Sequence, residues 1–276
     1  MELEIYDTTL RDGSQQEGIS LTVNDKLRVA RLLDELGVAY IEGGWPGANR
    51  KDTEFFARAR TELDLANSTL TAFGSTRRPR GTAEGDPQLR ALLEAETEFI
   101  CLVGKSWDYH VREALQVDLD EGLGMVADSI EYLRSHERRV FFDAEHFFDG
   151  YKANPDYALA VLRAANDAGA ERLVLCDTNG GSLPSETVVA IEKVTAALPE
   201  AHIGVHYHDD AGTAVASSLT AVEAGVTQVQ GCINGYGERT GNANLSTLIP
   251  DLQVKMGRKA IVGDLGLITS ISHHIA

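Results

Sequence analysis

The sequence predicts a single (β/α)8 barrel. Eight short apolar, β-branched or aromatic runs recur along its 276 residues. Helix-patterned stretches separate them at roughly the 25–40 residue spacing of repeated βα units. The polar residues collect just after the runs, at the barrel end where such folds build their active sites. The runs fall near residues 3–7, 38–43, 69–74, 98–104, 138–145, 172–177, 202–208 and 227–232.

The elements between the runs have their own signals. From Asn24 to Leu36, Leu27, Ala30, Leu33 and Leu36 mark one apolar face, Asn24 is a candidate N-cap and Gly37 a candidate C′ residue. Asn154 to Ala168 repeats the pattern, with Pro155 in the first turn and Gly169 after the last. Asp210 to Ala224 does so again and ends at Gly225. Thr76 to Asp86 is an irregular polar stretch and reads as a long loop. The rival fold, a doubly wound open sheet, usually carries a glycine-rich phosphate turn after its first strand; here that place holds Arg11-Asp12-Gly13-Ser14. We expect the barrel to span residues 1–258, with 259–276 the start of a C-terminal linker region that closes no core of its own.

Composition narrows the function classes. A hydrophobic content of 43% fills a sizeable core, and a net charge of −17 argues against nonspecific nucleic-acid or anionic-membrane binding. No apolar run approaches the roughly 18 residues needed to span a bilayer. Cys101, Cys176 and Cys232 lie apart in apolar runs with no C-x-x-C pair, so they read as reduced core residues of a cytoplasmic protein. The first residues are already strand-like and charged, without the pattern of a leader.

Asp12 follows the first run, and His206-Tyr207-His208 lies on the seventh. Alternate strand residues share a face, so both imidazoles point the same way. One carboxylate and two imidazoles make an open divalent-cation site, with positions left for substrate or water. Zinc suits the imidazoles, and manganese or magnesium the oxygen ligands. Asp209 and Asp210 are either orienting residues or the cap of the next helix, the cap being favoured for Asp210. Glu42, Ser75, Lys105, Glu145, His146, Asp177 and Thr178 complete the polar end. The glycine-rich stretch 235–242 lacks the Gly-Lys-Ser/Thr ending of a phosphate-binding loop.

The opening Asp7-Thr8-Thr9-Leu10-Arg11-Asp12-Gly13-Ser14-Gln15, the run His206-Tyr207-His208-Asp209-Asp210 and the loop Gly237-Glu238-Arg239-Thr240-Gly241-Asn242 resemble, in order, three motifs of the α-isopropylmalate, homocitrate and citramalate synthases. These belong to the DRE-TIM metallolyase superfamily. The resemblance covers the whole chain. Residues 41–47, 72–78 and 104–108 are most similar to the citramalate branch. The resemblance implies that Asp12, His206 and His208 bind the metal, with Asn242 a fourth ligand or near neighbour. It implies that Arg11 sits over the carbonyl oxygen of a 2-oxo acid, that Glu145 and Thr178 hold the substrate, and that Arg239 shapes the acetyl-CoA side. Glu42 would line the site.

The implied reaction is a Claisen condensation of acetyl-CoA with a 2-oxo acid, for which pyruvate is the expected partner and Glu145 the candidate base. Phe73, Leu102 and Asp143 are expected to face the side chain of the oxo acid. Asp143 would either disfavour a bulky aliphatic substrate or pair with Arg11 or Lys105. A sister synthase taking 2-oxoisovalerate or 2-oxoglutarate, a superfamily lyase, and a non-catalytic cation-binding barrel are the competing readings. The resemblance also implies a homodimer whose partner subunit completes the site. The regulatory domain of the family is not among these residues, so no isoleucine or leucine response and a reduced turnover are expected.

Overall fold

A computed structural model describes residues 3–276. Eight strands, β1 (Glu4–Asp7), β2 (Tyr40–Glu42), β3 (Thr69–Ser75), β4 (Phe99–Lys105), β5 (Arg139–Glu145), β6 (Arg172–Asp177), β7 (Ile203–Tyr207) and β8 (Gln228–Gly231), form a closed barrel in chain order. Every neighbouring pair is parallel, and β8 closes on β1 with Tyr6 opposite Gln230. The fold is the expected (β/α)8 barrel, and all eight strands fall within or beside the expected runs.

Helices α1 (Val23–Leu36), α2 (Arg50–Glu62), α3 (Pro87–Glu94), α4 (Asp108–Glu113), α5 (Leu119–Ser135), α6 (Phe147–Ala153), α7 (Pro155–Asp167), α8 (Pro184–Ala197) and α9 (Ala214–Glu223) cover the barrel, and α10 (Leu245–Pro250) and α11 (Ile268–Ile275) follow β8. Their aliphatic faces pack against the outward side chains of the strands. Asn154 caps α7 as expected, accepting a hydrogen bond from the Tyr157 amide. The cap of α1 is Thr22 rather than Asn24. Thr22 and Asp25 form a reciprocal capping box, which ties down two free amides where a lone Asn would satisfy one.

Strand alternation divides the interior from the outer layer. Tyr6, Phe73, Phe99, Cys101 and Phe141 fill the lumen. At the N-terminal mouth, Arg139 lies over the Phe99 ring at 4.1 Å and pairs with Glu98 and Glu171, while Arg172 pairs with Glu4. The charges at that end are paired with one another, whereas the polar residues read from the sequence as site candidates line a cavity at the C-terminal end of the strands. The three cysteines are free and buried. The segment after residue 258 packs onto the barrel. Ala260, Ile261, Ile268 and Ile271 are buried, and the Ser272 hydroxyl donates to Asn234 Oδ1 at 2.5 Å. Two isoleucines one turn apart seat α11 against α1 and α10.

Candidate active site

A cavity of about 450 Å³ opens at the C-terminal mouth, with Arg11, Asp12, Phe73, Asp143, Glu145, Thr178, His206 and His208 in its wall. Asp12 stands on the turn after β1, and the two histidines come from the end of β7. His206 Nε2 lies 3.4 Å and His208 Nε2 3.8 Å from Asp12 Oδ2, and the two Nε2 atoms are 3.4 Å apart. All three side chains are buried. Among the described residues, this is the one group of three or more His, Cys, Asp or Glu side chains close enough to hold a cation.

The electrostatics fit that use. Burial alone would raise Asp12, but the Arg11 charge and the contact with His206 outweigh it and hold the carboxyl well below its ordinary range. Burial and the neighbouring His206 push His208 down to about 4. Burial also disfavours the charged form of His206, yet Asp12 raises it above the usual value. Two imidazoles sharing one carboxylate cannot both be charged at this spacing, and a cation would replace the shared proton. Asp12 Oδ1 and His208 Nδ1 are buried without a hydrogen-bond partner. Such orphaned atoms are costly unless something is bound there, so the donor set fits a divalent ion.

Arg11 is held on three sides. Its Nε donates to Glu42 Oε1 at 2.6 Å, its Nη1 to Asp12 Oδ2 at 3.2 Å, and its guanidinium lies 3.8 Å from the Phe73 ring centre. Glu42 is fully buried and also accepts from the Tyr6 hydroxyl at 2.7 Å. Burial pushes Glu42 up against the pull of Arg11, while Glu42 and Asp12 raise Arg11 despite its burial. The close contact and the permanent charge of the guanidinium make this an ion pair. Glu42 thus sits behind Arg11 rather than in the wall of the cavity.

The loop after β2 is fixed from below. Lys26 is buried, donates to Gly43 O at 2.9 Å and pairs with Asp52, which accepts from the Trp45 amide at 2.9 Å. Gly44 has φ +147, and a Cβ there would meet the Asp52 carboxyl carbon at 2.5 Å, so the loop needs a glycine. This places Trp45 edge-on to Phe73 in the cavity wall.

Other expected residues are placed less simply. Glu145 lines the cavity and pairs with Lys105. Thr178 accepts from the His146 amide at 2.9 Å. Asp143 is buried and pairs with neither Arg11 nor Lys105; it accepts from Gln230 Nε2 at 3.0 Å. Leu102 lies in the layer between sheet and helices, and Val103 takes its place in the cavity wall. Asn242 bridges to His208 across the backbone, donates from Nδ2 to Tyr236 O at 2.9 Å and leaves a buried Oδ1 without a partner. Arg239 forms a two-point pair with Asp210 at 2.8 and 2.9 Å and donates to Thr178 O at 2.8 Å. Asp209, not Asp210, accepts from the first amide of α9. Gln230, absent from the expected site, accepts from His206 at 2.9 Å. Its sequence signal was two glutamines, Gln228 and Gln230, on one face of a buried strand.

A closed parallel barrel with a candidate divalent-cation site and a clamped arginine at its C-terminal mouth has the layout of (β/α)8 barrels whose sites lie at that end of the strands. The family model described as HMGL-like matches residues 2–275, and the chain belongs to that family. Among curated proteins, it is 55% identical over 282 residues to the (R)-citramalate synthase of Synechocystis sp., covering 99% of this chain and 51% of that protein. It is 53% identical to the (R)-citramalate synthase of Aquifex aeolicus, covering 99% of this chain and 52% of that one. The chain therefore spans about half the length of these relatives. Among solved structures, the HMG-CoA lyase of Brucella melitensis shares the fold, with a TM-score of 0.82 at 19% identity over 99% of this chain and 97% of that one.

Proposed function

We propose that this barrel condenses acetyl-CoA with pyruvate to give (R)-citramalate and CoA, a step of branched-chain amino-acid synthesis. The observation that carries the reading is the 53–55% identity to (R)-citramalate synthases over nearly the whole chain. Asp12, His206 and His208, with Asn242 as a fourth donor, would hold a divalent ion, and that ion would supply Lewis-acid polarisation of the carbonyl. Arg11, clamped by Glu42, stabilises the negative charge that develops on the same oxygen. Glu145 takes a methyl proton from acetyl-CoA, and the carbon left behind attacks the pyruvate carbonyl carbon. Lys105 pairs with Glu145 and fixes its carboxylate at the wall. Thr178 orients the oxo acid. Water then cleaves the thioester, CoA leaves as the thiol, and the condensation becomes effectively one-way.

In this reading Phe73, Val103 and the Asp143 carboxyl, all in the cavity wall, face the side chain of the oxo acid, a setting that suits a methyl group better than an isopropyl group. In this reading the protein acts as a cytoplasmic homodimer, and Arg239 shapes the thioester side from the loop after β8. The test is CoA release with pyruvate, 2-oxoisovalerate and 2-oxoglutarate supplied separately. One methylene in a pocket is worth about 1–3 kcal/mol, so kcat/KM should favour pyruvate by at least tenfold. Equal values for pyruvate and 2-oxoisovalerate would remove the substrate assignment. Cation binding without CoA release from any of the three would point to a non-catalytic barrel.

A further inference from the structure

We propose that Gln230 is a positioning residue that sets the His206 imidazole for cation binding, with Asp143 deciding which way the Gln230 amide faces. The inference rests on the reading of Asp12, His206 and His208 as a cation site, and it adds two residues that do not touch the ion.

The register of the barrel creates the contact. β7 and β8 pair with His206 opposite Gln230, and both side chains are buried. His206 Nδ1 lies 2.9 Å from Gln230 Oε1. Across the lumen, Gln230 Nε2 donates to Asp143 Oδ1 on β5 at 3.0 Å. The three residues form one chain of hydrogen bonds from β5 through β8 to β7.

Its polarity follows from the end groups. An ionised carboxylate only accepts, so an ionised Asp143 requires the NH2 side of the Gln230 amide, the orientation seen in the 3.0 Å hydrogen bond; burial raises this carboxyl while His206 and Arg11 favour its charged form. That leaves Oε1 toward His206. An acceptor at Nδ1 places the imidazole proton there, so Nε2 carries the lone pair. Nε2 is the atom that faces Asp12 Oδ2 at 3.4 Å and His208 Nε2 at 3.4 Å. With the amide turned over, the proton would sit on Nε2 and close that ligand position. His208 has no such partner, since its Nδ1 is buried without a hydrogen bond. The two imidazoles are therefore held differently, and His206 is the pre-set one. Groups that fix a ligand imidazole in this way typically change metal affinity by 10–100-fold when removed.

The experiment uses the full chain stripped of metal, with Zn2+ alone as the probe. Binding is followed by titration calorimetry, and the ring nitrogens of His206 by 15N spectra of the metal-free protein. Gln230→Met keeps the volume and removes both hydrogen bonds; it should weaken Zn2+ binding about 10–100-fold and leave His206 as a mixture of ring forms. Asp143→Ala frees the amide to turn and should move both readouts the same way. Asp143→Asn can donate as well as accept, so it no longer dictates the amide direction and should move both readouts part of the way toward those of Asp143→Ala. Parent-like affinity and ring spectra in Gln230→Met would overturn the inference, as would a parent whose neutral His206 ring carries its proton on Nε2. Should Gln230→Met fail to fold, Asp143→Ala decides the question with Gln230 in place: parent-like Zn2+ affinity and ring spectra in that variant would overturn the inference. A parent that binds no Zn2+ would instead refute the cation site itself, while the ring spectra would still report whether Gln230 sets the His206 proton.

Discussion

Replacing Arg11 with lysine separates transition-state stabilisation from substrate anchoring. The guanidinium serves Glu42 through Nε at 2.6 Å and Asp12 through Nη1 at 3.2 Å, while its face rests on Phe73. A lysine ammonium is a point charge on a flexible stem and cannot hold that fork geometry. It would follow Glu42 or Asp12 and withdraw charge from the position where the alkoxide forms. Loss of one such donor costs on the order of 10²–10³ in kcat, or roughly 3–4 kcal/mol. Glu42 is fully buried, so weakening its ionic hydrogen bond should also cost about 1.5–3 kcal/mol of folding stability. The assay is CoA release against pyruvate concentration, with a urea melt of the same preparation. The expected result is a lower kcat with KM for pyruvate within a few-fold of the parent. An unchanged kcat with a raised KM would show that Arg11 only anchors the substrate, and the argument for its role would fail.

Two further predictions concern stability. Lys26→Met leaves the Asp52 carboxylate buried beside Gly44 without its cation; breaking a buried pair from one side costs about 3–5 kcal/mol, and a loss below about 1 kcal/mol in a urea melt would show the pair to be dispensable. Asp7 is fully buried, and burial holds its carboxyl up at about 7 against the hydrogen bonds from Thr9. The folded chain therefore keeps this proton to higher pH than the unfolded chain. The stability it contributes is fully present below the unfolded value near 3.8 and is lost as pH rises toward 7, at up to about 1.4 kcal/mol per pH unit. Asp7→Asn should flatten the urea midpoint over that window, and a slope equal to that of the parent would contradict the assignment.

Much of this molecule was legible in the chain because its signals are short in sequence. Strand runs, helix periodicity and the His-x-His spacing are each read within a few residues, and the barrel end then follows from topology. What escaped depends on partners far apart. The Gln230–Asp143 bond joins β8 to β5 across the lumen, and no local pattern announces it. Arg239 claims Asp210 from the far side of the β8 loop, while Asp209 accepts from the first amide of α9. The Leu102 misplacement was avoidable. Lys105 was read at the site, and strand alternation puts Val103 and Cys101, not Leu102, on the face that Lys105 shares. The cap of α1 could also have been found, since Thr22 stands three residues before Asp25. The burial of α11 against the barrel rests on two isoleucines in a weakly patterned segment, too few to show periodicity.

The central claim is that Asp12, His206 and His208 together form a divalent-cation site that the reaction depends on. The most direct measurement is the cation content of the purified parent, His206→Ala and His208→Ala proteins after equilibration with Zn2+ or Mn2+ and removal of the excess. The parent should retain close to one ion per chain, and each variant should retain almost none while keeping a parent-like circular-dichroism spectrum. Equal cation content in the parent and the His206→Ala protein would contradict the account at its foundation.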